Sequence, residues 1–171
     1  YHLCKIRIME NYHLKTKWFL WYHSIKDTNW KNNSYKNIYT ISDLYDLKCI
    51  NNIVEKIHLQ NSMLFIMREG IFPTWEDPDN RQGCCISFKI SNNVLKEQFD
   101  FILNRILSED ILKDKENIDY LNGFSIIPKK EFNIVKLWLR NHDENYTDHL
   151  NTYEPNFIKD KALIKKHELS D

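Results

Sequence analysis

The chain reads as an α+β protein on an antiparallel sheet, and three observations predict it. Segments with strand-type alternation or aromatic enrichment recur from residues 15–22 to residues 161–167. One long stretch, residues 94–107, instead sets Val94, Leu95, Phe99, Ile102, Leu103 and Ile106 on a single helical stripe. Strands and helices do not alternate steadily, as a parallel sheet of βαβ units requires. With 171 residues, the chain has the length of one domain with a sizeable core.

The elements follow in order. Residues 15–22 hold Trp18, Phe19, Leu20, Trp21 and Tyr22, a strand composition, and residues 35–41 alternate as a second strand. Ser42-Asp43 caps a helix whose Leu44, Tyr45, Leu47, Ile50 and Ile53 recur at helical spacing. Residues 63–68 form a strand that ends in a turn at Glu69-Gly70, and residues 84–90 alternate as the next strand. After the helix at 94–107, residues 124–127 and 132–140 make a hairpin around Pro128-Lys129-Lys130-Glu131. Residues 143–153 read as a further helix and residues 161–167 as a closing strand.

Composition excludes several function classes. Lys plus Arg equals Asp plus Glu, 24 of each, so no bulk field draws the chain to DNA or a membrane surface. A nucleic acid ligand would have to be held by a local site. No run of eighteen apolar residues spans a membrane, and residues 1–8 show no apolar signal-peptide core. The four cysteines, Cys4, Cys49, Cys84 and Cys85, lack metal-ligand spacing, which fits reduced thiols in a cytoplasmic protein. His142-Asp143-Glu144 and His149 lack the His-Glu-x-x-His spacing of a metal site, and no nucleophile elbow or phosphate loop is present. The sequence therefore predicts no catalytic residue, no metal and no cofactor.

Two tryptophans stand in polar loops. Trp30 closes Lys26-Asp27-Thr28-Asn29, and Trp75 is followed at once by Glu76-Asp77. Exposing an indole is expensive, and a single tryptophan is more often packing than ligand. Two loop indoles beside a carboxylate, however, suit a flat cationic ring. Stacking contributes about 1–3 kcal/mol per base, and a cation over an indole adds about 2 kcal/mol once water is excluded. A guanine edge offers N1–H and N2 side by side to Glu76, a charge-assisted pair. A methylated, cationic guanine matches all three groups.

The five tryptophans, Trp18, Trp21, Trp30, Trp75 and Trp138, and the stretch Gly70-Ile71-Phe72-Pro73-Thr74-Trp75-Glu76-Asp77 together resemble the eukaryotic translation initiation factor 4E family, whose members bind the 7-methylguanosine cap of messenger RNA. The stretch matches the family's Gly-Ile-x-Pro-x-Trp-Glu-Asp, and Gly83 and Gly123 fall on family glycines. The resemblance runs from Tyr12 to Asp171. It implies a cap-binding domain over residues 12–171 behind an N-terminal extension, residues 1–11. The implied fold is a curved antiparallel sheet of about eight strands with three helices on its convex face. It also implies that Trp30 and Trp75 sandwich the base, that Glu76 pairs with its edge, that the Trp75 backbone N–H meets the guanine oxygen, and that Trp138 lies at the methyl group. Trp18 and Trp21 correspond to structural tryptophans.

The chain departs from the family on two surfaces. Where the family holds the cap's phosphates with basic residues, Cys85 and Ile134 replace an arginine and a lysine. Strand alternation puts Lys136 on the face of Trp138, so the phosphate candidates are Lys129, Lys130 and Lys136, with Arg81 behind them. On the partner surface, Tyr12-His13-Leu14 replaces the family's His-Pro-Leu and Tyr45 replaces a helix tryptophan; Phe99 and Phe101 are the aromatics nearest to a second one. The implied function is non-catalytic recruitment of capped messenger RNA for translation by a monomer, through a scaffold or repressor peptide on the helical face. A divergent binder that sequesters messages is the alternative, and a cap-cleaving hydrolase the remote one.

Overall fold

Strand alternation in this chain builds one sheet with two differently used faces. The computed structural model describes residues 12–113, 120–142 and 145–168. Its elements are β1 (His13–Ser24), β2 (Lys36–Asp43), α1 (Leu44–Ile53), α2 (Lys56–Asn61), β3 (Ser62–Arg68), β4 (Cys84–Ser91), α3 (Leu95–Leu107), β5 (Leu121–Pro128), β6 (Phe132–Leu139), α4 (Tyr146–His149) and β7 (Leu163–Lys166). All strand pairs are antiparallel, in the order β2-β1-β3-β5-β6-β4-β7. The proposed extension, residues 1–11, lies outside the described residues.

The main core lies on the helix side. Trp18 and Leu20 of β1, Leu64 and Ile66 of β3, Ile86, Phe88 and Ile90 of β4, and Val135, Leu137 and Leu139 of β6 all point there. Against them pack Leu47 and Ile50 of α1, Leu59 of α2, and the α3 stripe Leu95, Phe99, Ile102, Leu103, Ile106 and Leu107. At about 1.5–3 kcal/mol per buried large side chain, the α3 stripe alone contributes on the order of 10 kcal/mol against the entropy of ordering the chain. Residues of opposite parity, including Phe65, Met67, Cys85 and Trp138, form a smaller cluster on the other face.

Local chemistry sets the boundaries. Asp43 caps α1 by accepting from the Asp46 N–H at 2.8 Å, as the sequence predicts. The Asp46 carboxylate in turn accepts from Tyr39 Oη and the Ser42 N–H, fastening β2 to the helix. Arg68, buried at the end of β3, donates from Nε to the Leu121 carbonyl and from Nη1 to Thr16 Oγ1 and Glu109. Gly83 precedes β4 where a Cβ would stand 1.8 Å from the Leu139 carbonyl oxygen, so no larger residue fits.

The structure differs from the sequence reading in three details. The sheet has seven strands among the described residues, against about eight expected. Helix α2 was not anticipated; it is a short element with a reciprocal cap between Glu55 and His58. The helix expected at 143–153 is reduced among the described residues to the single turn of α4. Residues 150–153 instead lie along 110–112: the Asn151 N–H donates to the Ile111 carbonyl, the Asn151 side chain donates to the Asp110 carbonyl, and Tyr153 Oη donates to that same carbonyl.

Phe99 is fully buried and packs on Phe124, with ring centroids 6.2 Å apart. Phe99→Ala is expected to destabilise the fold by about 3–5 kcal/mol, read as a lowered denaturation midpoint. A loss under about 1 kcal/mol would mean that α3 does not anchor the core as described.

Candidate functional site

The face opposite the helices carries a cavity of ≈480 Å³, and it collects residues that the sequence keeps far apart. Trp30, Trp75, Glu76 and Trp138 all line it, together with Lys129 and Lys136. Its apolar wall includes Tyr35, Met63, Phe65 and Ile127. Trp138 is held from below: its Nε1–H donates to Ser125 Oγ at 3.0 Å, and its ring meets Phe65 edge-on. Trp21 packs beneath the neighbouring loop, edge-on to Phe72 at 4.9 Å, and Trp18 is fully buried in the main core; both are structural.

The loop carrying Trp75 and Glu76 is braced by its own polar residues. Asp77 accepts from the Phe72 and Asp79 N–H groups, each at 2.9 Å. Asn80 donates to the Phe72 and Thr74 carbonyls, also at 2.9 Å, and accepts from Asn122. With Asp77 and Asn80 turned inward, Glu76 is left exposed at the cavity. Its carboxylate adds to burial in pushing the Tyr35 phenol up to about 12.

Each loop indole is backed by an imidazole. Trp30, 55% exposed, stacks on His23 with ring centroids 4.5 Å apart and planes 3° from parallel. His23 is fully buried, with Nε2 2.9 Å from the Asn29 carbonyl and Nδ1 2.9 Å from the Ser24 carbonyl, contacts that tie the loop to the end of β1. The loop is tightened further where Asp27 accepts from the Asn29 N–H and Asn29 from the Lys31 N–H. Trp75 stacks on His167 at 5.4 Å and 11°, and Lys165 Nζ lies 5.7 Å from the same indole. A flat ligand ring that enters the cavity therefore meets indoles already oriented by a partner.

Beneath Trp75 lies a neutral pair. Cys85 lies opposite Trp138 across β4 and β6, and its Sγ is 3.1 Å from His167 Nε2. Burial pushes the Cys85 thiol up to about 12, against the pull of the Lys136 ammonium. Burial also lowers the His167 pKa, helped by Lys136 and opposed by the Asn80 carbonyl and Glu76. A neutral His167 then donates from Nδ1 to the Asn80 carbonyl at 2.6 Å and accepts the Cys85 S–H at Nε2.

The remaining sequence candidates divide. Lys130 lines an adjoining cavity together with Lys129, and Arg81 is exposed without lining the aromatic cavity. On the helix side, Tyr12 and Tyr45 are 57% and 51% exposed, and the Tyr12 carbonyl accepts from the Leu44 N–H at the start of α1. His13 is exposed beside them, while Leu14 packs partly on the core. Phe99 is buried and faces no partner; Phe101 packs on Tyr153 and Phe157. An apolar groove of ≈580 Å³ between β2 and α1–α2, with Ile38, Ile53 and Ile57 each more than half exposed, was not read from sequence. Among the described residues no three metal-ligating side chains cluster, and Asp143 and Glu144 lie outside them. No described helix is long and apolar enough to cross a membrane.

Comparison with known proteins bears on this arrangement. The family model described as Eukaryotic initiation factor 4E matches residues 13–162. A eukaryotic translation initiation factor 4E homolog of Acanthamoeba polyphaga mimivirus is 26% identical over 112 residues, 57% of this chain and 41% of that protein. The chain thus spans less than half the length of the curated relative it matches. Among solved structures, C. elegans eIF4E-3 in complex with the 4E-binding protein Mextli and a cap analog superposes with TM-score 0.68 at 24% identity, covering 76% of this chain and 75% of that one. Ascaris suum eIF4E-3 with m7G cap gives 0.69 at 20% identity, covering 79% and 77%. A schistosome eIF4E complexed with m7GpppA and 4E-BP gives 0.70 at 17% identity, covering 79% and 75%. These structural likenesses establish the shared fold.

The His167 environment makes stability depend on pH with a definite sign. A histidine pKa lowered by folding means that the unfolded chain binds the proton more readily, so stability is full above the ordinary histidine range and falls as pH drops below about 6.5. Replacing His167 by Gln is expected to flatten this dependence between pH 7 and pH 5 in denaturation midpoints. An unchanged pH profile in the variant would exclude His167 as its source.

Proposed function

Given that this chain belongs to the Eukaryotic initiation factor 4E family, we propose that it binds the 7-methylguanosine cap of messenger RNA and recruits capped message for translation, without turnover. The observation that carries this reading is the convergence of two imidazole-backed indoles, an exposed carboxylate and a third indole on one cavity.

In this reading the methylated base enters between Trp30 and Trp75. Its positive charge meets two π-faces, a preference that a neutral guanine cannot exploit. Glu76 accepts from N1–H and the N2 amine of the base edge, where its charge makes each hydrogen bond stronger than a neutral one. The Trp75 backbone N–H serves the guanine oxygen, and Trp138 closes the pocket at the methyl group. Lys129 and Lys136, which line the same cavity, take the phosphates. Cys85 and Ile134 add no positive charge there, so the base contacts carry a larger share of the affinity.

A helical or extended peptide from a scaffold or repressor protein docks at the other face, around Tyr12, His13, Leu14 and Tyr45. The two tyrosines offer flat apolar surface with polar tips at the start of α1. The protein acts as a monomer in the cytoplasm.

Trp30→Ala, Trp75→Ala and Glu76→Ala are each expected to weaken binding of a 7-methylguanosine triphosphate analogue by about 10- to 100-fold, the equivalent of one stacking or charge-assisted contact. Calorimetric titration checks this, with circular dichroism to confirm folding. Unaltered affinity in a folded variant refutes the role given to that residue. The Lys129→Ala, Lys136→Ala double variant should bind mono- and triphosphate analogues with nearly equal affinity. A triphosphate preference equal to the unmodified protein's would assign the phosphates to other residues.

A further inference from the structure

The two imidazoles behind the loop indoles differ in what faces their nitrogens. His167 meets one carbonyl, that of Asn80 at Nδ1, and one thiol, that of Cys85 at Nε2. A thiol can donate, so a neutral imidazole satisfies both contacts. His23 meets two carbonyls: the Ser24 oxygen lies 2.9 Å from Nδ1 and the Asn29 oxygen 2.9 Å from Nε2. Carbonyl oxygens only accept, and a neutral imidazole carries a single N–H. In that form one ring nitrogen would turn its lone pair on an oxygen at hydrogen-bond distance. The imidazolium, with an N–H on each nitrogen, satisfies both carbonyls.

A fully buried cation needs compensation, and the surroundings of His23 supply it. Both hydrogen bonds to carbonyls become charge-assisted. The Trp30 indole lies parallel to the imidazole at 4.5 Å, a π-face at cation distance. The Tyr35 ring lies 4.7 Å away, and its phenol, pushed up to about 12, stays uncharged at neutral pH. The ion pairs of the described residues do not include His23. Of the acids around this loop, Asp27 accepts from the Asn29 N–H, and Glu76, whose charge acts on Tyr35, lines the cavity.

We infer that His23 sets the charge preference of the site: as an imidazolium it occupies the rear face of Trp30, so a cationic ligand ring gains less from Trp30 than from Trp75. Two cations on opposite faces of one indole repel each other and share a single quadrupole. Trp75 carries no such burden from its neutral imidazole. Lys165, 5.7 Å from that indole, is more than half exposed and paired with Glu168, so water screens its charge. Trp30 thus supplies stacking and shape, and Trp75 most of the discrimination between a cationic and a neutral base. The ligand half of this inference rests on the cap-binding reading; the charge on His23 does not.

The test therefore has two arms, both on the full chain. Nitrogen NMR of the imidazoles at neutral pH is expected to show protons on both nitrogens of His23. A single neutral tautomer overturns the inference. Calorimetric titration then compares 7-methylguanosine triphosphate with 7-methyl-7-deazaguanosine triphosphate, which keeps the methyl group, base edge and phosphates but has no ring charge. His23→Phe, which leaves a flat ring behind Trp30, should widen the preference for the charged analogue about 3- to 10-fold. An unaltered preference in the folded variant overturns the role given to His23. Should that variant not fold, Trp30→Leu and Trp75→Leu decide the matter. The preference should fall further in Trp75→Leu, and an equal or larger fall in Trp30→Leu overturns the inference. Binding of neither analogue by the unmodified protein removes the cap reading and this role together, whereas binding of both with a preference that His23→Phe leaves unmoved removes the role alone.

Discussion

The buried side chain of Asn80 is the joint on which the candidate site depends. Its amide donates to the Phe72 and Thr74 carbonyls, its Oδ1 accepts from Asn122 on β5, and its own carbonyl accepts from the Gly83 N–H and from His167 Nδ1. With its own N–H donating to the Asp77 carbonyl, these six hydrogen bonds on one fully buried residue leave the 71–80 loop little freedom to relax. They also join three distant parts of the chain: the loop with Trp75, the middle of the sheet and the segment after β7. Trp75 gains its orientation from the loop and its backing from His167, so both faces of the problem pass through Asn80. A buried network of this kind is stabilising only when nearly every member is satisfied, and the unpartnered Asn122 Oδ1 is its one loose end among the described residues.

Parity along the strands keeps this network apart from the main core. Leu64 and Ile66 face the helices while Phe65 and Met67 face the site, and Cys84 and Cys85 divide in the same way. A one-residue slip would exchange the two sets and bury the pocket lining under α3. Gly123 and Gly83 allow the tight approaches beside β3 and β6 that this register needs, since a Cβ at either would collide with backbone. The helices hold the sheet from behind, and the site is built from what the sheet turns the other way.

Much of this was legible in residue pattern. The α3 stripe, the Asp43 cap and the hairpin at 128–131 each carry a local signature, and each formed where that signature lies. Trp30, Trp75, Glu76, Trp138 and Lys136 line one cavity; loop position pointed to the first three, the family resemblance to Trp138, and strand alternation placed Lys136 on the face of Trp138. What stayed hidden was the backing layer. His23 shares strand parity with Trp21, a signal that could have placed it on the site face. His167 stands 87 positions from Asn80, and nothing in local spacing joins them. Helix 143–153 failed for a related reason: Asn151 and Tyr153 find their partners at 110–112, and that non-local pairing overrides helical spacing.

The electrostatic arrangement follows from a chain that carries no net charge. With no bulk field to draw in an anionic ligand, attraction must be produced locally, and the cavity separates its charges to do so. Glu76 lines the cavity with the two indoles, and Lys129 and Lys136, the proposed phosphate ligands, line it as well. Between these groups lie Cys85 and His167, both kept neutral by burial and hydrogen-bonded to each other. A buried arginine at Cys85 would require its own counter-charge or a bound phosphate to offset desolvation. The neutral pair removes that requirement, so the pocket can stand empty without an uncompensated buried charge, and its stacking indoles stay oriented whether or not phosphate is present. Under the proposed cap-binding reading, the pocket forgoes part of its phosphate attraction and in return holds its indoles in place before the ligand arrives, which lowers the ordering cost of binding.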